Sequence, residues 1–469
     1  IDDVENFIAR FPFTLTGGQE RAIDSIFEDF EKSHPMSRLL EGDVGSGKTA
    51  IAASAAYAVI KTRPFDFKEN KTQTYGNLQV AYMAPTEILA TQLFESFITY
   101  FEHTGISIGL MTGSGCRKFP TKVASAGKKW TAISRPQLLK WIANGEIPIL
   151  IGTHALIQKS VKFKHLALVI IDEQHRFGTN QRSSLARKEG FAPHLLSMTA
   201  TPIPRTLALT IYGDLDLTVL DEMPAGRKKV ITEIVPDAKR DGAYELIKKE
   251  MTLGRQLYVI CPRIDEPDPE KEMAIQTKSV TEEARRLKKS VFPDKEIGVL
   301  HSKMTKEKKE SVMLAFARHE IDILVATSVV EVGVNVPNAT MIIIEGAERF
   351  GLAQLHQLRG RVMRSSDQPY CFLFADAKTE KTADRLMALK TAKSGFELAE
   401  LDLKLRGAGE LGGGKQWGVT DLGMEAIKNL KMVEAARTEA RAMVEKNRLA
   451  EYPHLEKKLA EKGTEVHFE

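Results

Sequence analysis

Short apolar runs, rich in aliphatic and β-branched residues, recur along this chain, and each is followed by a turn and a helical stretch. Runs of this kind are buried on both faces, and their alternation with helices is typical of parallel strands in an α/β fold. They are too numerous for one sheet of common size, so we predict two sheets. The predicted strands lie at residues 78–83, 147–151, 166–171, 257–260, 297–300, 323–325 and 341–344.

The break between the two groups of runs falls at residues 224–229 (PAGRKK), where turn formers and a basic run interrupt the pattern. We predict a first lobe at residues 1–225, a second lobe at 226–380 and a helical region at 381–469. A chain of 469 residues is also too long for a single core. The helical region carries an apolar stripe that we interpret as a packing surface, formed by Ile427, Leu430, Val433, Ala436, Ala440 and Met443.

Composition limits the class of protein. No apolar run approaches the ~18 residues of a membrane-spanning helix, so no membrane partner is expected. Cys116, Cys261 and Cys371 lie far apart, which argues against a disulfide framework or a zinc site and fits a reducing cytoplasm. The net charge of +4 permits nucleic-acid binding without requiring it. The chain opens at Ile1 without a signal-peptide pattern, and we expect a preceding domain to be missing.

Two segments of the first lobe have the composition of insertions. Residues 62–77 are polar and rich in turn formers, and residues 114–135 are basic. No acidic residue occurs from His103 to Gly145. The basic segment is compatible with a grip on nucleic-acid phosphates and equally with a solvated loop.

Residues 42–49 (GDVGSGKT) match the G-x4-G-K-[ST] phosphate-binding loop. A strand-like run precedes them and an alanine-rich helical pattern follows. Glycines let backbone N–H groups face phosphate oxygens, and the helix N terminus adds positive potential. We therefore predict that Lys48 reaches the terminal phosphates of ATP and that Thr49 holds Mg²⁺. The predicted nucleotide contacts in this loop are Gly42, Gly45, Ser46, Gly47, Lys48 and Thr49.

Two adjacent carboxylates, Asp172 and Glu173, follow the predicted strand at 166–171. Asp172 is predicted to hold Mg²⁺ through water, and Glu173 to polarise the attacking water. In isolation such a pair is more often a solvated loop. The assignment therefore depends on the phosphate loop in the same lobe.

Residues 357–364 (QLRGRVMR) place three arginines in the second lobe. Arg361 and Arg364 are three residues apart, a spacing that would put them on one face of a helix. In isolation the segment is more often a basic surface helix, but together with the phosphate loop we predict that the two arginines offset the charge on the γ-phosphoryl group. The central prediction is that both arginines face Lys48 and Asp172 across one cleft, which ATP closes and hydrolysis releases.

Five segments together resemble the RecG family of superfamily 2 DNA helicases, which have a DExH box. They are EGDVGSGKT (41–49), DEQHRFG (172–178), TATPIPR (199–205), TSVVEVGV (327–334) and RFGLAQLHQLRGR (349–361). The resemblance extends from residue 13 to about residue 418. It implies two RecA-like P-loop lobes with parallel sheets, a C-terminal helical hairpin, and the cofactors ATP and Mg²⁺. It also implies a monomer that acts on branched duplex DNA, including forks and Holliday junctions, in recombination and repair.

The resemblance assigns roles to matching positions. Phe13 and Gln19 resemble the motif that recognises adenine, and His175 resembles the histidine that links the ATP site to Thr199 and Thr201. Arg406, in segment 405–416, resembles part of the hairpin that couples ATP hydrolysis to translocation on duplex DNA. The residues that resemble nucleic-acid-tracking motifs are Pro85, Thr86, Thr153 and His154 in the first lobe and Thr327, Glu331 and Gly333 in the second.

The chain departs from the family pattern at several points. Met363 stands where glycine is usual, and its bulk is expected to slow hydrolysis or shift Arg364. Leu405 replaces a threonine and Asn335 an aspartate. The wedge domain with which RecG splits strands would precede Ile1. We therefore expect the chain alone to hydrolyse ATP or translocate, but to unwind forks poorly.

Two other functions remain open at this point. The translocase part of a transcription-repair coupling factor shares most motifs, although Ser46, the Gln-His of 174–175 and residues 353–356 favour RecG. A nucleic-acid-binding module with weakened catalysis is supported by Met363 alone. Turnover of ATP with and without branched DNA separates a motor from such a module.

Overall fold

A computed structural model of the protein contains two β-sheets, each covered by helices on both faces. We call the unit built on the first sheet lobe 1 and the unit built on the second sheet lobe 2. The structure describes residues 2–63, 77–121, 129–173, 192–200, 215–224, 226–262, 269–301, 303–327, 336–363, 365–376, 379–392, 394–395, 397–399, 401, 430–446 and 448–461.

Lobe 1 contains a nine-stranded sheet in the order β5-β4-β3-β6-β2-β7-β8-β1-β9. All neighbouring strands are parallel except at one edge, where β3–β4 and β4–β5 are antiparallel. The strands are β1 Ser37–Gly42, β2 Gln79–Met83, β3 Ile108–Thr112, β4 Gly115–Phe119, β5 Thr131–Ile133, β6 Ile149–Gly152, β7 Leu166–Asp172, β8 His194–Thr199 and β9 Asp216–Leu220.

Lobe 2 contains a six-stranded, wholly parallel sheet in the order β10-β15-β14-β11-β13-β12. Its strands are β10 Ile231–Val235, β11 Gln256–Cys261, β12 Ile297–Leu300, β13 Ile323–Thr327, β14 Ala339–Glu345 and β15 Tyr370–Phe374.

Twelve α-helices are described, and most connect successive strands. In lobe 1 they are α1 Asp2–Ile8, α2 Gly17–Phe30, α3 Lys48–Lys61, α4 Glu87–Phe101 and α5 Arg135–Ala143. In lobe 2 they are α6 Arg240–Thr252, α7 Pro269–Ser290, α8 Lys306–Ala317, α9 Leu352–Arg359 and α10 Glu380–Thr391. The last two are α11 Leu430–Glu445 and α12 Pro453–Glu461. None of the described helices has the length and apolar character needed to cross a bilayer.

Each sheet separates two hydrophobic cores, because successive residues of a strand point to opposite faces. In β2, Val80 and Tyr82 lie in one core while Ala81 and Met83 lie in the other. The alanine-rich helix α3 is buried along nearly its whole length, from Ala50 to Ile60. Small side chains allow this helix to lie close to the sheet, which fixes the position of the loop that precedes it.

The prediction of an α/β fold with two mainly parallel sheets is confirmed. All seven predicted strands are present, each within two residues of its predicted bounds. The antiparallel edge was not predicted. The basic segment 114–135 forms β4 and β5 there, so its described part extends the sheet. Three of its cations contact neighbours in lobe 1, since Arg117 lies over Trp130, Lys118 over Trp141, and Lys129 pairs with Glu102 at 2.7 Å.

The predicted helical region, residues 381–469, contacts both lobes, and its first helix, α10, packs as part of lobe 2. Leu386 and Leu389 of α10 are buried in a core of lobe 2. Arg437 of α11 instead hydrogen-bonds the Leu215 carbonyl at the edge of lobe 1 and pairs with Asp216 at 3.2 Å. The predicted apolar stripe is only partly buried, because Ala436 and Ala440 are exposed while Val433 and Met443 are half-buried. Ile427 lies outside the described residues.

Candidate functional site: a phosphate loop between two lobes

The phosphate loop, residues 42–49, connects β1 to α3 in lobe 1. Its glycines are required by the backbone, because Gly45 and Gly47 have φ of 83° and 88°. These angles lie in the left-handed region that favours glycine. A Cβ atom on Gly47 would also lie 2.0 Å from Gln19 Nε2. The loop therefore forms a tight turn that ends at the N terminus of α3. The N terminus of a helix is suited to bind an anion.

The side chain of Lys48 lies against the backbone of the phosphate loop. Its Nζ donates hydrogen bonds to the carbonyl oxygens of Gly42, at 2.6 Å, and Asp43, at 3.1 Å. Burial lowers the pKa of Lys48, although the nearby charges of Glu173, Asp172, Asp43 and Glu41 oppose that shift. The ammonium group therefore lies among carboxylates at the loop, where it is placed for a phosphate group.

Asp172 ends β7, and Glu173 follows it at the same edge of the sheet as the phosphate loop. The Glu173 N–H donates to Asp172 Oδ1 at 3.1 Å, and Glu173 has a φ of 53°. Burial and the charge of Glu173 raise the pKa of Asp172 to about 7, while Lys48 opposes the rise. Two crowded carboxylates beside one lysine leave an excess of negative charge that a divalent cation would neutralise.

The residues present fit Mg²⁺, which takes oxygen ligands and usually keeps several waters. Thr49, in the first turn of α3, and Asp172 are the candidate ligands. Among the described residues, no group of three or more His, Cys, Asp and Glu side chains could hold a metal ion. A site of this composition would therefore depend on phosphate oxygens and water for its remaining ligands.

Gln19 braces the phosphate loop from α2. It is 2% exposed, and its Nε2 donates to the Ser46 carbonyl at 2.8 Å. Its Oε1 accepts from the Thr16 N–H at 2.9 Å, within a capping box at the start of α2. Both polar groups of the Gln19 side chain are thus engaged by protein atoms. Phe13 is 40% exposed and lies against Phe11 and Tyr100, so its ring is accessible to a base.

Lobe 2 touches the phosphate loop through the end of α9. His356 Nε2 lies 2.8 Å from Asp43 Oδ1, and His356 Nδ1 lies 3.0 Å from Arg359 Nη2. Burial raises the pKa of Asp43, but His356, Arg359 and Lys48 outweigh it, so the net pKa is lowered. Gly360 lies close to the loop, because a Cβ atom there would be 2.9 Å from Val44 Cγ2.

Arg361 follows this contact directly. Helix α9 ends at Arg359, and Gly360–Val362 form a 3-10 turn in which Arg361 is half-buried. Arg364 lies outside the described residues. The structure therefore brings the Arg361 segment to the phosphate loop. It does not describe the shared helix face that we predicted for the two arginines.

The linker between the lobes also reaches the site. Arg227 Nη1 donates to the Met363 carbonyl at 3.0 Å, and a Cβ atom on Gly45 would lie 1.7 Å from the same nitrogen. Sequence reasoning assigned no role to Arg227, Asp43 or His356. The sequence patterns that included Arg227 and His356 were the basic run at 227–229 and the segment 353–356. Neither pattern predicts which residues these side chains contact.

The predicted nucleic-acid-tracking residues of lobe 1 lie at the carboxyl ends of β2 and β6, which are adjacent parallel strands. Pro85 and Thr86 follow β2, and Thr86 caps α4 by accepting from the Leu89 N–H at 3.3 Å. Thr153 is buried after β6 and His154 is exposed. In the sheets themselves, Thr199 ends β8 and Thr327 ends β13, and both are buried.

Several predicted site residues lie outside the part of the chain that the structure describes. They are His175, Thr201, Glu331, Gly333, Arg364 and Arg406, together with the departures Asn335 and Leu405.

Three protein-family models match successive parts of the chain, and all three describe helicases. The model for DEAD/DEAH box helicases matches residues 16–210, and the helicase conserved C-terminal domain matches residues 241–366. A third model, described as ATP-dependent DNA helicase RecG, domain 3, C-terminal, matches residues 392–462.

Curated relatives carry the same description. The chain is 42% identical over 461 residues to ATP-dependent DNA helicase RecG of Synechocystis sp., covering 98% of this chain and 51% of that protein. It is 44% identical to ATP-dependent DNA helicase RecG of Bacillus subtilis, covering 94% of this chain and 60% of the relative. The chain thus spans only about half to three fifths of the length of these two relatives.

Solved structures agree on the fold. RecG bound to a three-way DNA junction matches with a TM-score of 0.71 at 39% identity, covering 92% of this chain and 52% of that chain. Mss116p bound to ssRNA and AMP-PNP matches with a TM-score of 0.58 at 17% identity, covering 84% of this chain and 76% of that one. The second likeness shows the fold alone.

Proposed function

Because the chain belongs to the RecG family of ATP-dependent DNA helicases over the part of those proteins that it matches, we propose that it is an ATP-hydrolysing motor for branched DNA. One observation carries this proposal. The phosphate loop of lobe 1 lies directly against the α9 end of lobe 2, through Val44 with Gly360 and Asp43 with His356. A nucleotide bound at that loop would contact both lobes, which is the arrangement that a two-lobed motor requires.

The proposed chemistry uses groups on both sides of this contact. Lys48 binds the terminal phosphates in place of the loop carbonyls that it now contacts. Glu173 accepts the proton of the attacking water, and Arg361 and Arg364 offset the charge that develops on the γ-phosphoryl group. Asp172 is kept close to Glu173 by the hydrogen bond from the Glu173 N–H.

Thr49 and Asp172 are the residues that would hold Mg²⁺. The metal supplies charge neutralisation at the phosphates when it is bound. The raised pKa of Asp172, caused by burial and by Glu173, supports a site of that kind. Gln19 keeps the loop in shape through Ser46, and Phe13 offers its accessible ring to the adenine base.

The proposed motion follows from the position of the site. Bound ATP stabilises the contact between the Arg361 segment and the phosphate loop, and hydrolysis with phosphate release weakens that contact. Thr86, Thr153 and His154 of lobe 1 and Thr327 of lobe 2 are proposed to hold the nucleic-acid backbone during this cycle. Contacts to phosphates are independent of sequence, so such a motor would bind DNA by its shape rather than by its bases.

The proposed partner is branched duplex DNA, such as forks and Holliday junctions. The relative solved with a three-way DNA junction supports this choice. We further propose that the chain acts as a monomer in the cytoplasm and that its units are residues 1–225, 226–380 and 381–469. His175, Thr201, Glu331, Gly333 and Arg406 retain the coupling and DNA-binding roles that the family resemblance implies.

The test is ATP turnover by this chain without DNA, with linear duplex and with a three-way junction of equal length. We expect a junction to raise kcat more than linear duplex does, because the proposed partner is branched DNA. The assay is run at low salt, since phosphate contacts weaken as salt rises. His154→Ala is the matched variant, since His154 is exposed and lies outside the phosphate loop, so its removal should reduce stimulation without changing basal turnover. Negligible turnover under all conditions would favour a binding module with weakened catalysis. Equal stimulation by both DNAs would contradict the preference for branches.

A further inference from the structure

The linker that joins the lobes passes through the nucleotide site. It begins after Leu220 of β9 and ends before Ile231 of β10. Strand β9 is hydrogen-bonded to β1, with Leu220 in register with Gly42, the first residue of the phosphate loop. The linker therefore starts beside the loop, and Arg227 is half-buried seven residues later.

The guanidinium of Arg227 lies on the backbone of the phosphate loop. A Cβ atom on Gly45 would be 1.7 Å from Arg227 Nη1 and 2.8 Å from its Cζ. A side chain at this position would have to displace the guanidinium, and the φ of 83° separately favours glycine there. Gly45 is thus a point of close approach between the loop and a cation from another segment.

The same side chain also contacts lobe 2. Arg227 Nη1 donates to the Met363 carbonyl, two residues after Arg361 and immediately before Arg364. A guanidinium has five N–H donors, and within the described residues Arg227 makes this one hydrogen bond. Burial lowers the pKa of Arg227. A desolvated cation without a carboxylate partner in the described chain is suited to bind an anion.

We propose that Arg227 is a third arginine of the nucleotide site, which binds the terminal phosphate of ATP and thereby ties the linker to the nucleotide state. This inference rests on the proposed ATPase function and adds a residue to it. Arg227 donates to the Met363 carbonyl through Nη1, and both Nη1 and Nη2 lie within 3.3 Å of the position that a Cβ atom on Gly45 would take. When a γ-phosphate occupies the loop, these donors contact its oxygens, and the linker is held against lobe 1 and the arginine segment together. Loss of that phosphate removes the contact.

The test compares equilibrium binding of AMP-PNP and ADP to the whole chain without DNA. Arg227→Ala is expected to weaken AMP-PNP about tenfold, which corresponds to ~1.4 kcal/mol, and ADP less than about threefold. Arg227→Lys keeps the charge but loses the planar fork, so we expect an intermediate loss. Lys228→Ala is the matched control, because Lys228 is an exposed cation of the same linker and should behave as wild type.

The outcomes are separable from those of the proposed function. Unchanged AMP-PNP binding in Arg227→Ala would overturn the inference, and so would equal weakening of both nucleotides, which would indicate a purely structural role. The thermal unfolding midpoint of each variant identifies a folding defect, in which case the Arg227→Lys comparison decides. Failure of wild-type turnover to respond to DNA would instead remove the motor function while leaving this binding comparison measurable.

Discussion

Removing the amide of Gln19 should weaken phosphate binding whether or not the ligand contains a base. The Gln19 side chain is buried, and it joins the start of α2 to the phosphate loop through Thr16 and Ser46. Family resemblance assigns adenine recognition to this residue. The structure shows its two polar groups engaged by protein atoms, so we expect it to act by holding the loop.

The size of the effect follows from these contacts. Gln19→Ala removes two hydrogen bonds and leaves the Ser46 carbonyl without its donor, which costs roughly 2–4 kcal/mol of lobe 1 stability. We expect disorder of the loop in the folded protein to account for about 1–1.4 kcal/mol of this cost, which corresponds to roughly five- to tenfold weaker phosphate binding. Gln19→Glu keeps the oxygen that accepts from Thr16 but turns a carboxylate oxygen towards Ser46. We expect a similar or larger loss, since the new charge also faces the phosphates.

The assay is displacement of a fluorescent ADP by ATP and by inorganic triphosphate. Thr16→Ala is the control, because it removes a cap of α2 worth ~1 kcal/mol and leaves the bond to Ser46 in place. We expect Gln19→Ala to weaken ATP and triphosphate by the same factor, and Thr16→Ala to weaken neither. Weaker ATP with unchanged triphosphate would refute the bracing role and favour base recognition.

Three further predictions follow from the same structure. Lys48→Ala should lower kcat for ATP by at least ~100-fold, because it removes the cation of the phosphate loop; wild-type phosphate release in that variant would remove the site assignment. Glu173→Gln should bind ATP within about threefold of wild type yet block hydrolysis, since it removes the base and keeps Asp172; loss of binding would indicate a structural role. The third concerns Asp29, whose pKa burial raises but Arg38 and Lys32 lower more strongly. Its stabilising contribution is complete above the unfolded pKa of about 3.9 and is lost as pH falls through the lower folded value. Asp29→Asn should therefore cost ~3–5 kcal/mol at pH 7 in urea unfolding and flatten the acid dependence; an unchanged acid profile would count against the pair.

Strands were predictable because burial on both faces leaves continuous apolar runs. The segments around Leu168, Val259 and Ile343 have such runs and are central strands. The signal is weaker where a strand is less buried. Strand β5, at one edge of the first sheet, has no buried residue, and its neighbour β4 is mixed in polarity. Strands β3 and β4 form a hairpin joined by Gly113 and Ser114, a turn pattern that we did not use as a predictor, whereas β5 pairs, among the described strands, only with β4.

The candidate site was predictable where one short segment contains the chemistry. The phosphate loop is such a segment, since its glycines and Lys48 act through local backbone geometry. Contacts between remote segments were not predictable. Asp43 meets His356, 313 residues away, and Gln19 meets Ser46, because the packing of α2, α3 and α9 brings them together. Residue types alone gave no reason to pair them.

The start of the linker beside β1 has a mechanical consequence. Strand β6, which positions Thr153, lies five strands from β9, or about 24 Å at the usual spacing of ~4.8 Å. Turning lobe 1 about the linker by ~10° would then displace the end of β6 by about 4 Å, close to the 3.4 Å axial rise of one nucleotide along a DNA strand. Groups at the phosphate loop, near the axis, would move by far less. Because the linker starts beside the nucleotide site, a small rotation of lobe 1 there would displace the far strands of its sheet by about the rise of one base pair.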